Sequence, residues 1–178
     1  AMKLNELNRM TEPLSNTSKM PVLFLGHGSP MNAIEENEFV TGFRNIARTI
    51  PKPNAILCVS AHWETKGTFV TAMENPHTIH DFGGFPQELF DVQYPAPGSP
   101  DLAKQTKSLI TKTQVGIDDK WGLDHGAWSV IKHLYPNADI PVIQMSIDYT
   151  QTPQYHYELA QQIKSLRDKG VLIIGSGN

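Results

Sequence analysis

Short apolar segments alternate with helical patterns along this chain, and that alternation restricts the folds it can adopt. The segments are rich in Val, Ile and Leu and cover residues 20–26, 54–60, 68–72, 140–147 and 171–175. Amphipathic helical patterns lie between most of them, over residues 36–50, 100–113, 127–135 and 152–170. Continuous apolar strands are typical of parallel sheets, because both faces of such sheets are covered. We therefore predict an α/β protein with a mainly parallel sheet that helices cover on both faces.

Length and charge restrict the function further. A chain of 178 residues is expected to form about one domain, so we predict a polar, mobile N-terminal arm over residues 1–19 and a single domain over residues 20–178. The net charge of −3 offers no basic excess for a nucleic acid or an anionic membrane surface. No apolar segment approaches the ~20 residues of a membrane helix. With a single cysteine and no secretory leader, the expected location is the cytoplasm.

Two histidines directly follow predicted strands. His27 comes after the first strand, between two glycines, and His62 comes after the second. Ligands of open α/β sheets bind beyond the carboxyl ends of the strands, so these imidazoles are expected to converge on one site there. Imidazole nitrogen suits Fe, Zn, Cu or Ni, which makes the pair a candidate metal site. The alternative is that each histidine only ends its strand with a hydrogen bond to the backbone.

Other histidines lie in loops. His125 is expected on a loop before a helix, where a nearby acid could tune it for acid–base chemistry, although a surface histidine is the alternative. His80 lies within residues 74–100, a long stretch without periodicity whose aromatic residues favour packing over disorder. His77, His133 and His156 have no comparable context. Cys58 lies inside an apolar strand and is expected in the core.

Several motifs together resemble one family. They are PVLFLGHGSPMN, VSAHW, TIHDFGGFP, YPAPGSP, GLDHGAW, IPVIQMSID and the terminal GSGN. In this combination the chain resembles the extradiol aromatic ring-opening dioxygenases of the 4,5-DOPA dioxygenase type, from about residue 20 to residue 178. The resemblance implies an oxidoreductase that cleaves the ring of a catechol such as L-DOPA with O₂, and it leaves a homo-oligomeric state open.

The resemblance also implies roles for individual residues. It makes His27 and His62 ligands of one divalent metal ion. That ion is Fe(II) if the protein cleaves rings, and Zn(II) could occupy the same site. It makes His125 the residue that assists proton transfer or oxygen handling in the substrate pocket. It makes His80, in the TIHDFGG motif, a residue that lines the same pocket.

Two other functions remain open at this point. A zinc hydrolase could use His27 and His62 to activate water. A non-catalytic scaffold of the same fold, as in the Memo-type proteins, would need no metal chemistry, although histidines at two strand ends speak against it.

The resemblance carries an expectation about length. Members of the family continue beyond the GSGN motif, whereas only three residues follow the last predicted strand here. We therefore expect a chain that lacks the C-terminal third of the family, with His27 and His62 open to solvent and an apolar surface exposed.

Overall fold

Eight strands form three parallel sheets in the part of this protein that the structure describes. The computed structural model describes residues 18–178, so nearly all of the predicted arm over residues 1–19 lies outside the described residues. In chain order the strands are β1 (Val22–Gly26), β2 (Ala55–Ser60), β3 (Glu64–Thr65), β4 (Thr68–Thr71), β5 (Val115–Asp118), β6 (Val142–Gln144), β7 (Ile147–Asp148) and β8 (Val171–Gly177). The central sheet has the order β1–β8–β2–β6, and two-stranded ladders join β3 to β7 and β4 to β5.

Side-chain caps fix where the longer helices begin. The α-helices are α1 (Glu38–Thr49), α2 (Gln87–Phe90), α3 (Pro100–Leu109), α4 (His125–Leu134) and α5 (Pro153–Ile163), and 3₁₀ turns cover Pro30–Ala33 and Lys164–Lys169. The side chains of Asn37, Ser99, Asp124 and Thr152 each accept a hydrogen bond from an N–H of the helix that follows. Such caps satisfy backbone donors that no helical partner can reach.

Helices cover both faces of the central sheet, as predicted. On one face, Ile56 and Ile174 of the sheet belong to the same buried cluster as Trp128 of α4. On the other face, the neighbouring residue Leu57 belongs to a cluster with Leu102 of α3 and Leu159 of α5. Successive residues of a strand point to opposite faces, so continuous apolar strands are buried on both sides. The predicted α/β class is confirmed.

The predicted strands over residues 68–72 and 140–147 differ from the observed ones. β4 lies outside the central sheet and pairs with β5, a strand that the sequence pattern does not reveal. The segment 140–147 leaves the central sheet after Gln144 and continues as β7. Its path changes at Ser146, whose hydroxyl accepts hydrogen bonds from the Phe69 N–H and the Thr65 hydroxyl. These hydrogen bonds join residues that are far apart in the sequence, so the local apolar pattern does not predict them.

The long stretch over residues 74–100 is held by hydrogen bonds within itself, to β6 and to the segment before α4. Its base is closed by a hydrogen bond of 2.8 Å from the Gly98 N–H to the Glu74 carbonyl. The Val142 N–H donates to the Pro97 carbonyl at 2.8 Å, and the Ile79 N–H donates to the Leu123 carbonyl at 2.7 Å. Apart from α2, the segment has no helix, yet these bonds hold it in a defined path. The expectation of packing rather than disorder is confirmed.

Apolar side chains are exposed at one edge of the central sheet. Val22 and Phe24 of β1 are 53% and 78% exposed, and Phe39 of α1 is 61% exposed. An exposed apolar surface was among the expectations from the sequence.

None of the described helices is both long enough and apolar enough to cross a membrane. The single-domain boundary and the cytoplasmic location stay predictions.

We predict that Gly98→Ala destabilises the fold, because a Cβ there would lie 2.0 Å from the Met73 carbonyl oxygen. The backbone around that oxygen must shift, which costs on the order of 1–3 kcal/mol in the free energy of unfolding. Gly83→Ala is the matched control in the same loop, because a Cβ at Gly83 meets no atom within 4 Å. Urea unfolding measures both variants, and equal stabilities would contradict this account of the loop base.

Candidate metal centre

Three imidazole rings meet beyond the carboxyl ends of the central strands. One nitrogen from each of His27, His62 and His125 lies within 4.8 Å of the other two. The Nε2 atoms of His27 and His62 are 2.9 Å apart, and the ring centroids of His62 and His125 are 4.0 Å apart. The convergence of His27 and His62 that their strand-end positions predict is therefore confirmed. Three imidazole nitrogens at this spacing are a donor set for a transition metal.

Strand β8 brings the two strand-end histidines together. It lies between β1 and β2, with Gly177 paired to Gly26 and Ser176 paired to Ser60. His27 follows Gly26 directly, and its N–H donates to the Gly177 carbonyl. β1 and β2 are thus not neighbours in the sheet, and the two rings reach each other across the end of β8.

Ser176 fixes the ring proton of His27. Its hydroxyl donates to the Gly126 carbonyl, which uses its single proton. The contact of 3.0 Å between that hydroxyl oxygen and His27 Nδ1 therefore requires Nδ1 to be the donor. The lone pair of His27 is then on Nε2, the nitrogen that faces His62. A hydrogen bond that sets the tautomer in this way is typical of histidines that bind metals.

Burial keeps His27 neutral. The residue is only 2% exposed. Burial, followed by the neighbouring rings of His62 and His125, lowers the pKa of His27 from 6.5 to about 4. The expectation that both histidines open to solvent is wrong for His27 and holds only for His62, whose side chain is 34% exposed. The main reason is α4, which brings the His125 ring and Gly126 against the ends of β1 and β8.

The Asp124 carboxylate organises the elements around the histidines. It is fully buried and accepts hydrogen bonds from Ser60 Oγ at 2.6 Å and from Gln144 Nε2 at 2.7 Å. It also accepts from Trp121 Nε1 at 3.2 Å and caps α4 through the Ala127 N–H at 3.2 Å. Four donors and a helix N-terminus compensate for the desolvation of the buried side chain.

This network also positions the backbone of His62 and His125. Ser60 Oγ, which donates to Asp124, accepts the N–H of His62 at 3.2 Å. Because Asp124 is the N-cap, His125 is the first residue of α4 rather than part of a preceding loop, which corrects the prediction of a helix from residue 127. Gly126 is required beside it, since a Cβ there would lie 2.4 Å from Ser60 Oγ and 2.9 Å from His62 Cδ2.

Asp81 adds a second carboxylate from the long loop. Its Oδ1 accepts the backbone N–H of His125 at 2.8 Å, and its Oδ2 lies 3.0 Å from His125 Nδ1. An N–H in the plane of the ring does not point at Oδ2, so this second contact is mainly electrostatic. The same oxygen lies 4.0 Å from His62 Nδ1.

His80 lies one layer away from the three rings. Its Nε2 donates to the Val92 carbonyl at 2.8 Å, and its ring packs against Phe82 with centroids 5.9 Å apart. Phe82 in turn contacts His125, with ring centroids 5.5 Å apart. Phe90 and Trp128 complete an aromatic wall beside His125. The predicted contact of His80 with a substrate stays a prediction.

Sequence reasoning missed the side chains that orient the histidines. Asp81, Asp124 and Ser176 each contact a histidine or its helix, but none was assigned a role. Asp124 carried one usable signal, because an aspartate before a helical pattern is a common N-cap. Asp81 and Ser176 lie inside the TIHDFGGFP and GSGN motifs, but no local pattern names their partners, which are distant in the chain.

The comparisons with known proteins agree with this fold. The chain is 50% identical to the 4,5-DOPA dioxygenase extradiol of Escherichia coli strain K12 over 166 residues, covering 93% of this chain and 61% of that protein. It is 44% identical to the protein of the same name from Beta vulgaris over 162 residues, covering 87% of this chain and 60% of that protein. The chain thus spans about three fifths of the length of these relatives.

A solved structure shares the architecture. It is the crystal structure of an uncharacterized protein from Escherichia coli K12, with a TM-score of 0.75 and 44% sequence identity. The match covers 90% of this chain and 60% of that one. The family described as the catalytic LigB subunit of aromatic ring-opening dioxygenase matches residues 17–178. Because that match includes every described strand and helix and the three converging histidines, the chain belongs to this family of aromatic ring-opening dioxygenase subunits.

Proposed function

We propose that this protein is a metal-dependent extradiol dioxygenase that cleaves the ring of a catechol such as L-DOPA with O₂. The observation that carries the proposal is the convergence of His27, His62 and His125 beside an aromatic wall, in a chain of this family. The relatives named 4,5-DOPA dioxygenase extradiol support the substrate class. A homo-oligomeric state stays a prediction.

His27 and His62 are the proposed ligands of one divalent metal ion. Ser176 leaves the lone pair of His27 on Nε2, and the low pKa of His27 keeps that lone pair free at neutral pH. His62 Nε2 lies 2.9 Å from that atom, so both nitrogens face the same point. When bound, Fe(II) supplies the redox chemistry between a catechol and O₂, whereas Zn(II) fits the same nitrogens without a change of valence.

His125 is the proposed base for the catechol. Ring cleavage next to two hydroxyl groups requires removal of a hydroxyl proton, and a neutral imidazole is suited to that task at pH 7. The His125 ring is buried, 4% exposed, and its Nδ1 faces Asp81. Its Nε2 is therefore the nitrogen that takes the proton.

Phe82 is the proposed contact surface for the ring of the substrate, since Trp128 of the aromatic wall is fully buried. Phe82 lies directly beside His125, and His80 supports Phe82 from behind. Aromatic rings pack favourably edge to face at such distances, so the wall orients a catechol and excludes water from it. We propose that His80 contributes to this surface, mainly through Phe82.

Oxygen uptake tests the function directly. Full-length protein loaded with Fe(II) is expected to consume O₂ when L-DOPA is added and to form a ring-opened semialdehyde, as measured by an oxygen electrode and mass spectrometry. Hydrolysis of an ester by the Zn(II)-loaded protein, without O₂ uptake from any catechol, would favour a zinc hydrolase. If the protein shows neither activity and binds no metal, a non-catalytic scaffold is favoured.

Alanine variants are expected to separate the ligands from the base. His27→Ala and His62→Ala should lose bound metal, because each removes a ligand. His125→Ala should keep the metal and lose about 10²–10⁴-fold in catechol turnover, the usual contribution of acid–base assistance. Metal analysis and oxygen uptake measure the two effects, with His77→Ala as a control because His77 is exposed and outside the three rings. Loss of metal in His125→Ala would show that His125 is a ligand.

The metal-free protein should become less stable as the pH falls from 6.5 to 4. In that window the unfolded chain binds a proton at His27 and the folded chain does not, because folding lowers the pKa of His27 to about 4. Above pH 6.5 the neutral His27 does not reduce the free energy of unfolding. Between pH 6.5 and pH 4 the free energy of unfolding falls by up to roughly 3 kcal/mol on account of His27.

His27→Gln should flatten this dependence, because glutamine stays neutral throughout. Urea unfolding at several pH values provides the measurement. His77→Gln should keep the slope of the wild-type protein, since His77 is exposed in the folded chain. An unchanged slope in His27→Gln would contradict a buried neutral His27.

A further inference from the structure

Asp81 contacts His125 through both carboxylate oxygens, although the two residues are 44 positions apart. Oδ1 accepts the backbone N–H at 2.8 Å, and Oδ2 lies 3.0 Å from the ring nitrogen Nδ1. Among residues 18–178, no other carboxylate comes within 4.0 Å of a ring nitrogen of His125. The ring therefore has one anionic neighbour, which comes from the long loop and lies nearer to His125 Nδ1, at 3.0 Å, than to His62 Nδ1, at 4.0 Å.

The backbone contact holds this carboxylate in place. The His125 N–H is one of the first N–H groups of α4, which have no helical partner. Asp124 satisfies the Ala127 N–H and Asp81 satisfies the His125 N–H, so two carboxylates share the positive end of the helix dipole. Burial raises the pKa of the Asp81 carboxyl, but the backbone N–H and the nearby ring of His125 together outweigh burial and hold that pKa below its usual range.

A fixed carboxylate selects the tautomer of a neutral imidazole. An ionised carboxylate can only accept, and a lone pair on Nδ1 at 3.0 Å from Oδ2 would face a negative charge. The arrangement with the proton on Nδ1 is favoured even though the N–H is not aligned with the oxygen, because the attraction is electrostatic. A neutral imidazole carries one ring proton, so the lone pair is then on Nε2.

We propose that Asp81 is a positioning residue that keeps the proton of His125 on Nδ1 and leaves Nε2 as the nitrogen that accepts a proton from the substrate. The consequence for turnover rests on the proposed dioxygenase function, whereas the consequence for the tautomer does not. A purely structural Asp81 would only anchor the long loop to α4 through the backbone N–H. The two roles differ in what Asp81→Asn should do.

Asparagine keeps the structural contact and reverses the electrostatic one. Its amide oxygen can accept the His125 N–H as Oδ1 does, which places the amide NH₂ group opposite Nδ1. That donor favours a lone pair on Nδ1 and moves the ring proton to Nε2. A structural role predicts a variant close to the wild-type protein, whereas the positioning role predicts a folded variant with the wrong tautomer.

Imidazole ¹⁵N NMR of the full-length, metal-free protein tests the tautomer. The His125 signals should show the proton on Nδ1 in the wild-type protein and on Nε2 in Asp81→Asn. Asp91→Asn is the matched control, an exposed aspartate of the same loop that contacts Gln87. The proton on Nε2 in the wild-type protein, or an unchanged tautomer in Asp81→Asn, would overturn the proposal.

Kinetics of the Fe(II)-loaded protein test the consequence. Asp81→Asn should lower kcat for L-DOPA by at least about 10²-fold, with KM and metal content close to the wild-type values, because the base rather than the binding is impaired. A shifted tautomer with unchanged kcat would overturn the role of Asp81 in the reaction. If the wild-type protein consumes no O₂, the proposed function fails, and the NMR result alone decides the role of Asp81 in holding the tautomer.

Discussion

The buried carboxylate of Asp124 is the interaction on which the histidine cluster depends. It binds Ser60 at the end of β2, Gln144 at the end of β6 and the first turn of α4. A buried anion loses its hydration, so it is stable only while all of these donors stay in position. The network therefore fixes how α4 meets the carboxyl edge of the sheet, and with it the distance between His62 and His125.

Strand β8 supplies the other half of the arrangement. It separates β1 from β2 and places Ser176 where its hydroxyl accepts from His27 and donates to the Gly126 carbonyl. One hydroxyl thus connects a strand-end histidine to the first turn of α4. β8, the last described strand in chain order, lies between β1 and β2, so the distance between His27 and His62 depends on its pairing with both strands.

The division between the proposed ligands and the proposed base follows from their neighbours. His27 has a neutral hydroxyl on Nδ1, whereas His125 has a carboxylate near Nδ1. Both arrangements leave Nε2 without a proton, but the ring of His27 faces a neutral partner whereas the ring of His125 faces a carboxylate. The rings of His27 and His125 are thus suited to different tasks by the polar groups beside Nδ1.

Local patterns along the chain were enough to predict the α/β class, the two covered faces of the sheet and the strand-end positions of His27 and His62. These features follow from the apolar pattern of neighbouring residues and from the common direction of parallel strands, whose carboxyl ends meet at one edge of the sheet. The folded arrangement was needed to show that β4 and β5 form a separate ladder, that His125 begins α4, and that Asp81 and Ser176 contact histidines. Those outcomes depend on hydrogen bonds between residues far apart in the chain, and no local pattern encodes which distant donor a carboxylate or hydroxyl will meet.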